Sequence, residues 1–154
     1  MTSITLKEAE EIIDGAIAEG RKHNFMPLTV AVLDAGGCLV SLKREDGSGI
    51  LRPDIAIGKA WGALGMGVPS RVLRDRLADR PAFQSALSAA SGGRFIAVPG
   101  GVLLRDQNEV IIGAVGISGD TSDKDELCAI VGARAAGLTP LPAEPSKDWE
   151  TSAL

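Results

Sequence analysis

Few side chains in this sequence are equipped for chemistry, and they fall into three groups. His23 is the sole histidine. It stands near the end of a helical stretch, where a neutral imidazole nitrogen could ligate a haem iron. The more ordinary role there is a surface histidine compensating the helix C-terminus. Arg44, Arg52 and Lys59 flank one glycine-bearing loop. Arginine grips carboxylates, haem propionates among them, through paired hydrogen bonds, and the alternative is solvated charge. Finally, backbone N–H groups at Gly100-Gly101 and at Gly119-Asp120-Thr121-Ser122 could cradle an anion, or simply form two turns and a helix cap.

Lys59 has the least ordinary setting. Ile55, Ala56, Ile57, Ala60, Trp61, Ala63 and Leu64 cover most of the circumference of its helix. A lysine among them must snorkel, pair with a carboxylate or meet an anionic ligand. As a desolvated amine it could act as a base or as an anion anchor, with Gly100 and Gly101 as an oxyanion-stabilising pair. No phosphate loop, dinucleotide fingerprint, paired-cysteine zinc spacing or HExxH is present. One histidine excludes a zinc site with several His ligands, and a His-based triad unless His23 serves it. Met66 offers a sulfur ligand as an alternative to His23.

The elements that must position these groups follow from periodicity. Thr5 with Glu8 makes a capping box, and Leu6, Ala9, Ile12, Ile13, Ala16 and Ile17 recur at helical spacing over about five turns. Leu28–Leu33 and Cys38–Lys43 read as strands joined at Asp34-Ala35-Gly36-Gly37. Pro53 and Asp54 open the Lys59 helix. Its glycines Gly58, Gly62, Gly65 and Gly67 predict tight packing on the sheet or on another subunit. Two short helices follow, over Arg71–Ala78 and Ala82–Ala90. Phe95–Val98, Val102–Leu104 and Val110–Ile117 then read as strands, the last central and covered on both faces. Glycines in it predict that another element or a ligand comes close to the backbone. Ser122 is expected to cap a final helix ended by Gly137. Residues 1–138 form one domain on this reading, and 139–154 a proline-bearing tail, frayed or draped over a neighbouring subunit.

Composition narrows the function classes. A net charge of −4 leaves no electrostatic footprint for nucleic acid and no polybasic membrane patch. No apolar run spans a membrane, and Met1–Ile4 does not resemble an export signal. Cys38 and Cys128 read as two buried thiols in a reducing cytoplasm.

Four stretches, VAVLDAGGCLVSLKRED, IAIGKAWGALGMG, GGRFIAVPGGVLLRD and GAVGISGDTSDKDE, lie in register with one another. In them the chain resembles the GlcG/HbpS family, which includes the C-terminal domain of PduO-type proteins. The resemblance implies an α+β fold: a single antiparallel β-sheet of about five strands, with helices on both faces. It also implies a homo-oligomer, from dimer to octamer, and for some members haem binding. On that basis haem or a related tetrapyrrole is the expected ligand of a cytosolic binding protein. The alternative is a catabolic enzyme acting on a small carboxylate through Lys59. Asp34, Arg44, Lys59, Gly100, Gly101 and Asp125 match the family pattern and, with Arg52, are the pocket candidates; His23 is the candidate iron ligand.

Overall fold

The computed structural model describes residues 2–153. Its helices are α1 (Leu6–Lys22), α2 (Arg52–Met66), α3 (Ser70–Leu77), α4 (Pro81–Ala90) and α5 (Ser122–Ala135). Its strands are β1 (Thr29–Asp34), β2 (Leu39–Arg44), β3 (Gly101–Arg105), β4 (Ile111–Ser118) and β5 (Thr139–Leu141). Among the described residues these strands make one sheet in the order β2-β1-β4-β3-β5. All its pairings are antiparallel. The expected α+β arrangement is the one observed.

The sheet separates two unequal layers. Val30, Val32, Val102, Val115 and Ile117 point toward α1 and α5 and form the larger core with Ile12, Ile13 and Ile130. On the opposite face Leu33, Leu103 and Ala114 meet Ala60 and Ala63 of α2. Side chains on that face are small because α2 lies almost on the strands. A Cβ on Gly116 would come within 1.9 Å of the Ala56 carbonyl oxygen, and one on Gly101 within 2.2 Å of the Lys59 carbonyl oxygen. The element that Gly101 and Gly116 admit is therefore α2, whereas Gly113 makes room for Ile4.

Local signals fix most boundaries. Thr5 and Glu8 form the complete capping box of α1. The α5 cap is Thr121 rather than Ser122, its hydroxyl accepting from the Lys124 N–H. Phe95–Val98 departs from expectation. It joins no strand ladder; it lies instead along α2, where the Ile96 N–H donates to the Gly58 carbonyl. Ile96 and Phe95 fill the space left by Gly58 and Gly62. An apolar run can satisfy its burial against a helix as well as in a sheet, and the sequence pattern does not separate the two. Cys38 is also exposed rather than buried, while Cys128 is buried as expected. Cys38 closes the β1–β2 hairpin, where its N–H donates to Asp34.

Residues 139–153, read from the sequence as a tail, pack back on their own chain. Thr139–Leu141 completes the sheet beside β3. Arg71 Nη2 donates to the Glu144 carbonyl, and the Ser146 N–H donates to Glu126 Oε1. Trp149 packs on the larger core. Glu126 is fully buried, with Arg71 Nε 3.2 Å from its other oxygen. Burial raises its pKa to about 7, against the pull of Arg71.

Two outcomes follow for stability. Gly116→Ala cannot be accommodated against backbone and costs about 3 kcal/mol or more in urea unfolding. Gly65→Ala, whose Cβ meets only Trp61 at 3.7 Å, is neutral or stabilising by less than about 1 kcal/mol. For Glu126, the folded state binds the proton more tightly than the unfolded chain between the ordinary value of 4.5 and about 7. Stability is therefore lost as pH rises through that window, by a few kcal/mol at most. Glu126→Gln abolishes that part of the slope in denaturation curves measured from about pH 4.5 to about pH 7.5.

Candidate functional site

The polar groups of interest meet where β4 ends and α5 begins. Lys59 reaches this junction from α2 across Gly100, whose φ of 119° and missing side chain leave room for the amine. The Lys59 residue is 2% exposed. Its Nζ donates to the Ile117 carbonyl oxygen at 2.8 Å and to Asp125 Oδ2 at 3.1 Å. Asp125, in the first turn of α5 and 1% exposed, also accepts from the N–H groups of Asp120 and Gly119. One carboxylate thus organises both the β4–α5 turn and the buried lysine.

Electrostatics of the pair follow from its burial. Desolvation pushes the Lys59 pKa down and the Asp125 pKa up, while their mutual attraction opposes both shifts. Asp120 behaves differently. Burial alone would raise its pKa, but the donated N–H groups of Met26 and Thr121, with Lys124 nearby, hold it below the ordinary value.

Above this pair lies an open cleft of about 430 Å³. Ile55, Ile96 and Val98 form its apolar wall, and Arg52, Ser118, Asp120, Thr121 and Ser122 its polar one, so that it carries a carboxylate as well as the guanidinium. Ser118 follows Ala114 and Gly116 on the α2 face of β4, as strand alternation requires. Arg52, in the first turn of α2, donates from Nη1 to Ser118 Oγ at 3.1 Å. Among the described residues Arg52 has no carboxylate partner. The start of α5 adds positive potential on the same side.

The sequence candidates divide into those that converge and those that do not. Arg52, Lys59, Gly100 and Asp125 come together here. Gly101 adjoins them, but its N–H donates to Ser70 Oγ at 2.7 Å and so is not open to a ligand. Asp34 is at the far end of β1, facing Gly113 where the cleft end faces Ser118, about 17 Å away along the strand. There Asp34 Oδ1 accepts the N–H groups of Gly36 and Cys38. Arg44 donates to the Ser48 carbonyl oxygen and borders a separate cleft with Arg21 and Pro27. His23 stacks on Phe25 with ring centroids 5.1 Å apart, and its Nε2 lies 2.7 Å from Glu19 Oε1. Met66 borders an apolar hollow of about 200 Å³ with Trp61, Leu87 and Phe95. No group of three or more His, Cys, Asp or Glu side chains is arranged for a metal ion among the described residues.

Sequence reasoning missed Ser118, the apolar wall and the tail residue Ala153, which also borders the cleft. Counting alternate positions from Gly116 would have placed Ser118 on the α2 face. Nothing local announces Ala153, because its position depends on how the distant tail packs.

The architecture is thus a three-layer α+β domain with a half-polar cleft at the end of its central strand. The chain belongs to the HbpS-like family, described as haem degrading protein HbpS-like, whose model matches residues 4–134. An uncharacterized 15.0 kDa protein from the dhaT-dhaS intergenic region of Citrobacter freundii is 29% identical over 129 residues, covering 84% of this chain and 89% of that one. The crystal structure of HbpS matches with a TM-score of 0.74 and 27% identity, over 87% of this chain and 90% of that one. That of a PduOC:heme complex matches with a TM-score of 0.79 over 89% and 97%; at 22% identity this is a likeness of fold.

Breaking the buried pair on one side leaves a charge without its partner. Asp125→Asn is expected to cost about 3–5 kcal/mol. Lys59→Met added to it recovers part of that loss, because the asparagine oxygen still accepts from the turn and no buried ammonium remains. A double-mutant cycle by denaturant unfolding measures both.

Proposed function

We propose that this protein binds a small ligand through its carboxylate groups in the Arg52 cleft, with haem or a related tetrapyrrole as the ligand. The observation that carries this reading is Arg52 itself, a half-buried guanidinium bonded to Ser118 and free of any carboxylate among the described residues. Such a group binds carboxylates through paired, charge-assisted hydrogen bonds. The apolar wall of Ile55, Ile96 and Val98 suits a ligand whose remaining surface is greasy. Membership of the HbpS-like family, and a fold shared with a protein crystallised with haem, support the tetrapyrrole.

The fit to haem is uneven. Arg52 and the start of α5 suit propionates, but no histidine, cysteine or methionine lines this cleft among the described residues. His23 is the candidate iron ligand in the sequence, and its Nε2 would have to leave Glu19 to serve. Asp34, Arg44 and Gly101 are proposed here as structural rather than ligand-binding groups. A homo-oligomer in the cytoplasm completes the reading; Ile50, 93% exposed, and the neighbouring Leu51 are suited to burial by another copy.

A second reading, an enzyme acting on a small carboxylate, is favoured by the Lys59–Asp125 pair on the cleft floor. Its burial moves both groups toward the neutral forms that exchange protons. In that reading Lys59 is the base and Arg52 the anchor.

Titration with hemin, followed at the Soret band, tests the first reading. Arg52→Ala is expected to weaken binding by about tenfold to a hundredfold, the range for losing a hydrogen bond to a charged group. An unchanged affinity in Arg52→Ala, with a lost band in His23→Ala, would move the site to the end of α1. A thermal shift with small organic acids that needs both Lys59 and Arg52, without any response to hemin, would favour the enzyme.

A further inference from the structure

The tail reaches the cleft at Ala153, and its contacts there are specific. Its anchor is Trp149, which lies edge-on to His23 and Phe25 at 5.2 and 6.0 Å. The 3-10 turn Trp149–Thr151 then brings Ser152 Oγ to 2.6 Å from Thr121 Oγ1 and Ala153 to the cleft wall. Proton inventory sets the direction of that bond. The Ser152 hydroxyl donates to the Trp149 carbonyl oxygen at 2.9 Å, so its oxygen accepts the Thr121 O–H. Thr121 Oγ1 meanwhile accepts from the Lys124 N–H. Ser152 Oγ therefore sits where an acceptor oxygen belongs, on the hydroxyl of a residue that lines the Arg52 cleft.

We propose that Trp149–Ala153 is a latch over the Arg52 cleft, and that a ligand carboxylate displaces Ser152 as the acceptor of the Thr121 hydroxyl. The anchor and the tip of this segment are held differently, which is what a latch needs. Aromatic packing on the core fixes Trp149, whereas the tip is joined to α5 through the Ser152–Thr121 hydrogen bond, with Ala153 exposed. The tip can leave without unseating the anchor. That the displacing group is a carboxylate rests on the reading of the cleft as the ligand site; that the tip stands at the rim of the cleft does not.

The two parts are separable by experiment on the full chain. In a Cys38→Ser background, where the remaining native thiol of Cys128 is buried and held protonated, Val98→Cys and Ile55→Cys each place a probe on the cleft wall. Ser152→Ala is expected to raise the rate of thiol modification by a charged disulfide reagent several-fold at both positions. Equal rates with and without the Ser152→Ala substitution overturn the latch, whatever the protein binds. Hemin and malonate are titrated separately against the wild-type protein and the Ser152→Ala variant, both of which keep the Thr121 hydroxyl. Affinity at least threefold tighter in Ser152→Ala for hemin alone identifies a tetrapyrrole propionate as the displacing group, for malonate alone a small acid, and for both a carboxylate of either source. Raised thiol rates with neither affinity changed overturn the carboxylate exchange while leaving the latch in place.

Discussion

The ion pair between Lys59 and Asp125 is the constraint on which the rest of this structure turns. Two charges inside a protein lose several kcal/mol of hydration each, and only close contact with further hydrogen bonds compensates them. The chain meets that demand by bringing three separate elements to one point. Lysine comes from α2, carboxylate from the first turn of α5, and the remaining acceptor from the end of β4. Asp125 then draws in the N–H groups of Gly119 and Asp120, which sets the turn that starts α5. The cleft is the space above this knot, and its shape follows from it.

Glycine is what makes the knot reachable. For the Lys59 amine to lie beside the carbonyl of Ile117, the backbone of α2 must run almost in contact with β3 and β4. Gly101 and Gly116 provide that approach, and Gly100 gives the amine its passage. The consequence is a thin core on this face, where alanines replace the larger side chains found beneath α1 and α5. The larger apolar core thus lies in one layer and the candidate site in the other.

Most of the architecture is legible in the sequence because it is locally encoded. The Thr5–Glu8 capping box, the Asp34-Ala35-Gly36-Gly37 turn and the apolar run into Ile117 each declare an element without reference to anything distant. The buried lysine is legible too, as a charge where the helix has no polar side. What is not legible is partnership. Nothing near Lys59 indicates that Asp125, sixty-six residues away, is its counter-ion. Phe95–Val98 reads as a strand because its apolar residues are indifferent to whether sheet or helix covers them. The tail's role is equally hidden, since Ser152 matters only through a helix cap it meets after folding. Family likeness supplies the fold but does not place side chains: Asp34 and Arg44, expected in the pocket from the resemblance, lie away from this cleft.

Ligand binding in the cleft between Arg52 and the start of α5 is the claim on which the functional reading stands. Nuclear magnetic resonance of the isotope-labelled protein with a diamagnetic porphyrin such as zinc protoporphyrin tests that directly. The predicted result is a contiguous set of shifted signals from the Arg52 side chain, Ser118 to Ser122 and Ser152, with the signals of Trp61 and Met66 unmoved. Shifts confined to Glu19, His23 and Phe25, or to the hollow beside Trp61, would contradict it.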